Sequence, residues 1–183
     1  MFATLEPAPA DPILGLMVQF RADPSAHKVD LGVGVYKDDR GATPVLDSVR
    51  QAERAEFEAQ STKAYLGPAG NDNFNRLITS LVMGSDHGAL KGGRVRTVQG
   101  PGGCGALRLG AELLKVANPD ATVHTPAPTW ANHVPLIGNA GLHLQSYPYY
   151  TPGSAGLDFD AMIGALGKAK AGDIVLLHAC CHN

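Results

Sequence analysis

The sequence predicts an α/β protein with a mostly parallel sheet, and three observations carry that prediction. Beyond Gly93, strand-like and helix-like segments alternate, the pattern of βαβ units. A glycine-rich turn, Gly100-Pro101-Gly102-Gly103-Cys104-Gly105, separates an extended segment from a helical one. The run Ile174-Val175-Leu176-Leu177 is apolar throughout, as a strand buried on both faces requires.

Taken in order, the first forty-odd residues read as an arm or loop layer. They hold the apolar stretch Pro12-Ile13-Leu14-Gly15-Leu16, the glycine-spaced Leu31-Gly32-Val33-Gly34-Val35-Tyr36 and the charged turn Lys37-Asp38-Asp39-Arg40-Gly41. Val49, Ala52, Ala55 and Phe57 are spaced for a helix over 47–60, and Phe74, Leu77, Ile78 and Leu81 for another over 71–83. Tyr65-Leu66-Gly67-Pro68 between them is a turn. The alternation then gives strand 94–99, helix 106–116, strand 121–125, a proline loop, a short helix near 133–138 and strand 142–147. Helix 159–166, with Asp158 as its cap, and strand 174–178 complete it. The chain ends just after that strand, with no returning helix, so the pattern predicts the front part of a longer protein.

Composition narrows the function. The 183 residues carry 15 basic and 17 acidic side chains, net −2, with no basic run. That balance leaves no electrostatic footprint for nucleic acid or an anionic membrane. No secretory signal and no apolar run of membrane-spanning length is present, so a cytoplasmic protein is expected. Three cysteines, two of them adjacent at Cys180 and Cys181, make a poor disulfide framework.

The chemistry gathers at predicted strand ends. The glycine loop opens a helix, where backbone N–H groups and the helix dipole can hold a phosphate. Its spacing also satisfies G-x-G-x-x-G, yet the acidic residue that a dinucleotide needs at the end of the second strand is missing: Asp120 precedes that strand and Thr125-Pro126 closes it. A plain glycine-rich connection remains the alternative. Trp130, the one tryptophan, lies in the loop after the second strand, where it either stacks on a planar heterocycle or packs the loop onto the domain. His178, Cys180, Cys181, His182 and Asn183 end the last strand. Contiguous Cys-Cys-His cannot readily wrap a tetrahedral ion, so Asn183 as a hydrogen-bond donor is the more economical role. A phosphate cradle, an aromatic plate and an amide at successive strand ends suit a phosphorylated aromatic cofactor, with pyridoxal phosphate the obvious candidate.

Five segments in the same order, Gly32-Val33-Gly34-Val35-Tyr36-Lys37-Asp38, Tyr65-Leu66-Gly67, Pro101-Gly102-Gly103-Cys104-Gly105-Ala106-Leu107, Pro128-Thr129-Trp130-Ala131-Asn132-His133 and Cys180-Cys181-His182-Asn183, resemble the class I aspartate and aromatic amino-acid aminotransferases. The resemblance covers roughly the first half of a family member. It implies the three-layer large domain of pyridoxal-phosphate-dependent transferases, incomplete over 46–183, preceded by an N-terminal arm and a small-domain segment over 1–45. It implies that Gly103 and Cys104 hold the cofactor phosphate, Trp130 stacks on the pyridine ring and Asn183 donates to the ring's phenolic oxygen. His133 would stand behind the acidic partner of the ring nitrogen, and Gly34 would set backbone against the substrate carboxylate. Tyr65 would reach the phosphate of a neighbouring subunit, which implies a homodimer with the arm around Ile13 and Leu14 across the partner. Cys104 departs from the family's usual Thr or Ser, and a thiol is the weaker donor.

The family's catalytic lysine matches none of the seven here, Lys28, Lys37, Lys63, Lys91, Lys115, Lys168 and Lys170, all in polar, turn or helix-surface surroundings. No catalytic residue is therefore expected in this chain. The full-length protein is expected to move an amino group between an L-amino acid, aspartate or aromatic, and a 2-oxo acid, and this chain alone to be inactive. Two other readings stand beside it: an NAD-binding dehydrogenase domain, and a noncatalytic fragment, against which an exposed sheet edge argues because such edges aggregate.

Overall fold

A computed structural model describes residues 4, 6, 12–32, 34–153, 156–179 and 181–183. The side chains of Ile13 and Leu14, and the whole of Val33 and Cys180, lie outside the described residues. The chain divides into two compact units, residues 1–63 and 64–183. Among the described residues no helix is long and apolar enough to cross a membrane.

Among its described residues the first unit contains two helices. Where the sequence suggested an arm or loop, Pro12–Ala22 forms α1. Proline at the first position presets the helical φ without forfeiting a bond. At the other end Lys28 Nζ donates to the carbonyls of Phe20 (2.7 Å) and Asp23 (2.6 Å) and lies 4.7 Å from the centre of the Phe20 ring. Helix α2, Asp47–Ala59, follows the expected spacing. Between them Lys37 pairs with Asp30 at 2.9 Å and Gly32 N–H donates to the same carboxyl group, which together hold it below the ordinary carboxylate range.

The second unit begins with α3, Asp72–Met83, capped by Asn71, whose side chain accepts from Phe74 N–H at 3.0 Å. The four-residue α4, Gly88–Lys91, is too short to show a period and was not legible in the sequence. Residues 94–99, expected as a strand, form none: no strand among the described residues pairs with them, and Gln99 bonds instead to Ala69 (3.0 Å) and Asn71 (2.9 Å). A strand exists only through a ladder partner, so an extended sequence preference alone does not make one.

Helix α5, Gly102–Ala117, begins inside the glycine loop instead of at Ala106, because Gly102 takes the positive φ of 68° that turns the chain into the helix. Then come β1 (Thr122–Ala127), α6 (His133–Gly138), β2 (His143–Pro148), a small hairpin of β3 (Tyr150–Thr151) and β4 (Gly156–Leu157), α7 (Phe159–Leu166) and β5 (Ile174–Val175). Asp158 caps α7 as expected, accepting from Ala161 N–H at 3.1 Å.

The three longer-range strands form a parallel sheet in the order β2-β1-β5. The chain moves from β1 to one side and then crosses back to the other. With right-handed crossovers, that reversal puts α6 and α7 on opposite faces, giving three layers. The strand period agrees: Val123, Leu144 and Ile174 share one face and pack with Ala111 of α5 and Ile137 of α6. His124 points the other way and is buried against Asp173, whose carboxylate also accepts from Thr122 N–H (3.1 Å) and Lys170 N–H (2.9 Å). These donors, His124 first, hold Asp173 down to about 2 and fix the register of β5 against β1.

Strand β5 is shorter than the expected 174–178 for a specific reason. Leu176 N–H donates to His124 C=O at 2.9 Å, so the parallel ladder would next have residue 126 donate to Leu176 C=O. Residue 126 is proline and has no N–H. The buried phenol of Tyr147, paired with Pro126 from β2, fills the gap by donating to Leu176 C=O at 2.8 Å. The ladder ends there, and residues beyond Leu176 are free to turn into the region at the sheet's carboxyl edge.

Candidate functional site

Three segments meet at that edge: 128–133 after β1, Tyr149 after β2 and, after β5, the described residues 176–179 and 181–183. In open α/β sheets this is where ligands bind. Helix α5 reaches the same edge by topology, because its C-terminal end connects directly to the start of β1 and it packs back along the sheet. Gly103, in its first turn, lines one groove with Val175 and Leu176.

The N-terminus of α5 carries no side-chain cap and no acidic group, with Pro101 at the capping position. The first-turn N–H groups of an α-helix have no partner within the helix, and a positive dipole end accompanies them. Glycine at 102 and 103 leaves open space where a side chain would stand. Cys104 is exposed beside them with a free thiol.

The loop after β1 carries Thr129, Trp130 and His133. The Trp130 ring is half-buried and meets His133 edge-on at 5.3 Å. Thr129 Oγ1 lies 2.8 Å from His133 Nδ1 and 3.4 Å from His178 Nε2, and the His133 and His178 rings are 4.9 Å apart. Asn183 N–H donates to His178 Nδ1 at 2.8 Å. That bond fixes the direction of the rest: His178 carries its proton on Nε2, the Thr129 hydroxyl accepts from it and donates to His133 Nδ1, and His133 keeps Nε2–H as a donor. Burial, then the charge of His182, pushes His133 below the usual histidine range. His178 is lowered by burial, then by His182 and His133. Both rings are therefore neutral at pH 7, which this chain of donors and acceptors requires.

The structure thus brings Trp130, His133 and Asn183 together, with the side-chain amide of Asn183 left exposed. Tyr65 is fully exposed. Gly34 belongs to the first unit and has open space at its Cα. Sequence reasoning assigned no role to Thr129, to Tyr149 or to the rings of His178 and His182 as a group. The available signal was two histidines four residues apart at a strand end, facing a loop with a third.

The profile of the aminotransferase class I and II family matches residues 26–183. The chain belongs to that family. It is 46% identical over 183 residues to the aspartate aminotransferase of Escherichia coli (strain K12), covering 100% of this chain and 46% of the relative. It is 45% identical over 183 residues to the aromatic-amino-acid aminotransferase of Paracoccus denitrificans, with the same coverage of 100% and 46%. Among solved structures, it matches the aromatic-amino-acid aminotransferase from Burkholderia pseudomallei covalently bound to pyridoxal phosphate, with a TM-score of 0.93, 44% identity and coverage of 100% of this chain and 46% of that one. The chain spans about half the length of the relatives it matches.

For this chain the dinucleotide reading finds no support. The glycine loop is preceded by no strand among the described residues, and β1 ends at Thr125-Pro126-Ala127 with no acid to hold a ribose.

Proposed function

We propose that this chain contributes the phosphate and ring-binding side of a pyridoxal-phosphate site, in a protein that exchanges amino groups between an aspartate or aromatic L-amino acid and a 2-oxo acid. What supports the reading best is the uncapped, acid-free N-terminus of α5 at the sheet edge where Trp130 and Asn183 are brought together. When bound, the group supplies an electron sink for charge developing on the substrate's α-carbon.

In this reading the N–H groups of Gly103 and Cys104 hold the phosphate, and the thiol adds a weak donor where a hydroxyl would add a stronger one. Trp130 lies against the face of the pyridine ring. The amide of Asn183 donates to the phenolic oxygen. His133, kept neutral and with Nε2–H outward, donates to an acidic partner of the ring nitrogen and so positions it. Gly34 allows backbone to approach a substrate carboxylate. Tyr65, whose ring is exposed, reaches the phosphate of a second copy in a homodimer, across which the arm around Ile13 and Leu14 lies. Residues 1–45 serve as arm and small-domain segment and 46–183 as cofactor-binding domain, in a cytoplasmic protein.

No lysine joins the cluster. Lys115 Nζ is tied to Pro119 C=O (2.7 Å) at the far end of α5, Lys168 and Lys170 flank the turn before β5, and Lys91 pairs with Asp86. The 183-residue chain is accordingly expected to bind the cofactor and not to transaminate. The test uses the single tryptophan as reporter: pyridoxal phosphate titrated into the purified chain should quench Trp130 emission saturably, and NAD should not. Quenching by NAD alone, or transamination of aspartate by this chain with added cofactor, would contradict the proposal.

A further inference from the structure

His182 touches a residue from the segment that follows each strand of the parallel sheet. Its ring stacks on Tyr149, after β2, with centroids 3.9 Å apart and planes 12° apart. Its other face stacks on His178, after β5, at 4.2 Å and 21°. Its Nε2 lies 2.7 Å from the carbonyl oxygen of Pro128, after β1. A carbonyl can only accept, so His182 carries its proton on Nε2 and donates. One imidazole thus ties together the ends of β2, β1 and β5, with the residues on either side of its contacts being those of the candidate site: Thr129 and Trp130 after Pro128, and Asn183 directly after His182.

We propose that His182 is a positioning residue of this site, a clasp that sets where the Trp130 plate and the Asn183 amide stand relative to one another. The inference deepens the cofactor reading and rests on it only for the affinity it predicts. The physical case is one of constraint. The loop after β1 and the tail after β5 leave the sheet on separate backbones, and among the described residues the paired register of β1 and β5 ends at Val175. The long bond from His178 to Thr129, at 3.4 Å, is a weak link. The bond from His182 to Pro128 C=O is a short, well-formed link between loop and tail. The stack on Tyr149 and His178 keeps the donor aimed, and a ring held from both faces has few rotamers to lose when the bond forms. Removing the donor while keeping the ring should therefore free the Trp130 loop without emptying the stack.

The test compares His182→Phe, which keeps the flat ring and loses the donor, with His182→Gln, whose side-chain amide nitrogen reaches about as far as Nε2. Circular dichroism first establishes that both variants retain the wild-type secondary structure. In His182→Phe, quenching of Trp130 by acrylamide should rise at least about twofold. The affinity for pyridoxal phosphate should fall about three- to tenfold, the loss expected for one net hydrogen bond. His182→Gln should recover most of both, which a role in packing alone would not produce. Wild-type acrylamide quenching in His182→Phe, or a His182→Gln no better than His182→Phe, would overturn the proposal. If neither variant folds, long-range 15N–1H spectra of the wild-type chain decide: His182 must carry a proton on Nε2, and a ring protonated on Nδ1 alone refutes the clasp. Absence of any wild-type response to pyridoxal phosphate would sink the cofactor reading, while the acrylamide comparison would still decide on His182.

Discussion

Replacing Tyr147 with Phe removes one oxygen and isolates the ladder substitution made at Pro126. In the native structure that oxygen donates to Leu176 C=O at 2.8 Å from a ring that is 2% exposed. Burial holds the phenol above its ordinary pKa, so it remains a donor throughout the neutral range. Tyr147→Phe leaves the Leu176 carbonyl without the partner that Pro126 cannot supply, at a cost of about 1–3 kcal/mol. For a chain of this size a loss of about 2 kcal/mol lowers Tm by roughly 4–8 °C. The decisive comparison is made in the background Pro126→Ala, where residue 126 regains an N–H at the position the parallel register demands. There the phenol is redundant and its loss should cost about 1 kcal/mol or less. Urea denaturation followed by Trp130 emission measures all four corners of the cycle, and the expected coupling is about 1 kcal/mol or more. If Tyr147→Phe costs the same in both backgrounds, the phenol is not standing in for a backbone donor and the account of why β5 stops is wrong.

Other perturbations follow from single observations. Cys104→Ser replaces a weak donor by a stronger one in the first turn of α5 and should tighten pyridoxal phosphate about tenfold in a fluorescence titration; an unchanged affinity would remove Cys104 from the phosphate site. Asp173 has its folded pKa lowered from 3.8 to about 2, so its stabilising effect is complete above the higher value and is lost as pH falls through the lower one. Asp173→Asn should accordingly lower the urea midpoint at pH 7 and narrow the gap to wild type below about pH 3, and a gap independent of pH would refute the linkage. Two glycines of α5 should respond with opposite sign. A Cβ at Gly105 would stand 2.6 Å from the Pro101 ring, whereas Gly110 has open space, so Gly105→Ala should destabilise by about 1–3 kcal/mol and Gly110→Ala should stabilise by about 0.5–1 kcal/mol in thermal melts.

Much of the second unit was legible because its signals are local and periodic. Helix 159–166 with its Asp158 cap, the short helix at 133–138 and helix 72–83 follow from side-chain spacing and capping chemistry that do not depend on the rest of the fold. The expected strand at 94–99 failed for the complementary reason, since a strand is defined by its neighbour and the sequence of the segment cannot supply one. Helix α1 was missed because its end is held by Lys28, which bonds the Phe20 carbonyl and that of Asp23 just beyond the helix, contacts that no periodicity announces. At the candidate site Trp130 and Asn183 could be picked out by residue type and position after strands, and His133 entered through the family resemblance. The roles of Thr129, Tyr149 and His182 could not, because they arise from contacts between residues 33 to 54 positions apart in sequence, which only folding creates.

The reversal in strand order has a consequence for how such a site can vary. Because the chain leaves β1 toward one layer and β2 toward the other, the two backbones part company at the sheet edge before any side chain is chosen. The fold provides the opening, and the sequence only furnishes it. Substitutions along 128–133 and beyond Leu176 can therefore reshape what the opening holds while Val123, Leu144 and Ile174 keep the sheet beneath it unaltered. Recognition and stability are written in separate parts of the same short strands, inward-facing residues for one and the turns just beyond them for the other.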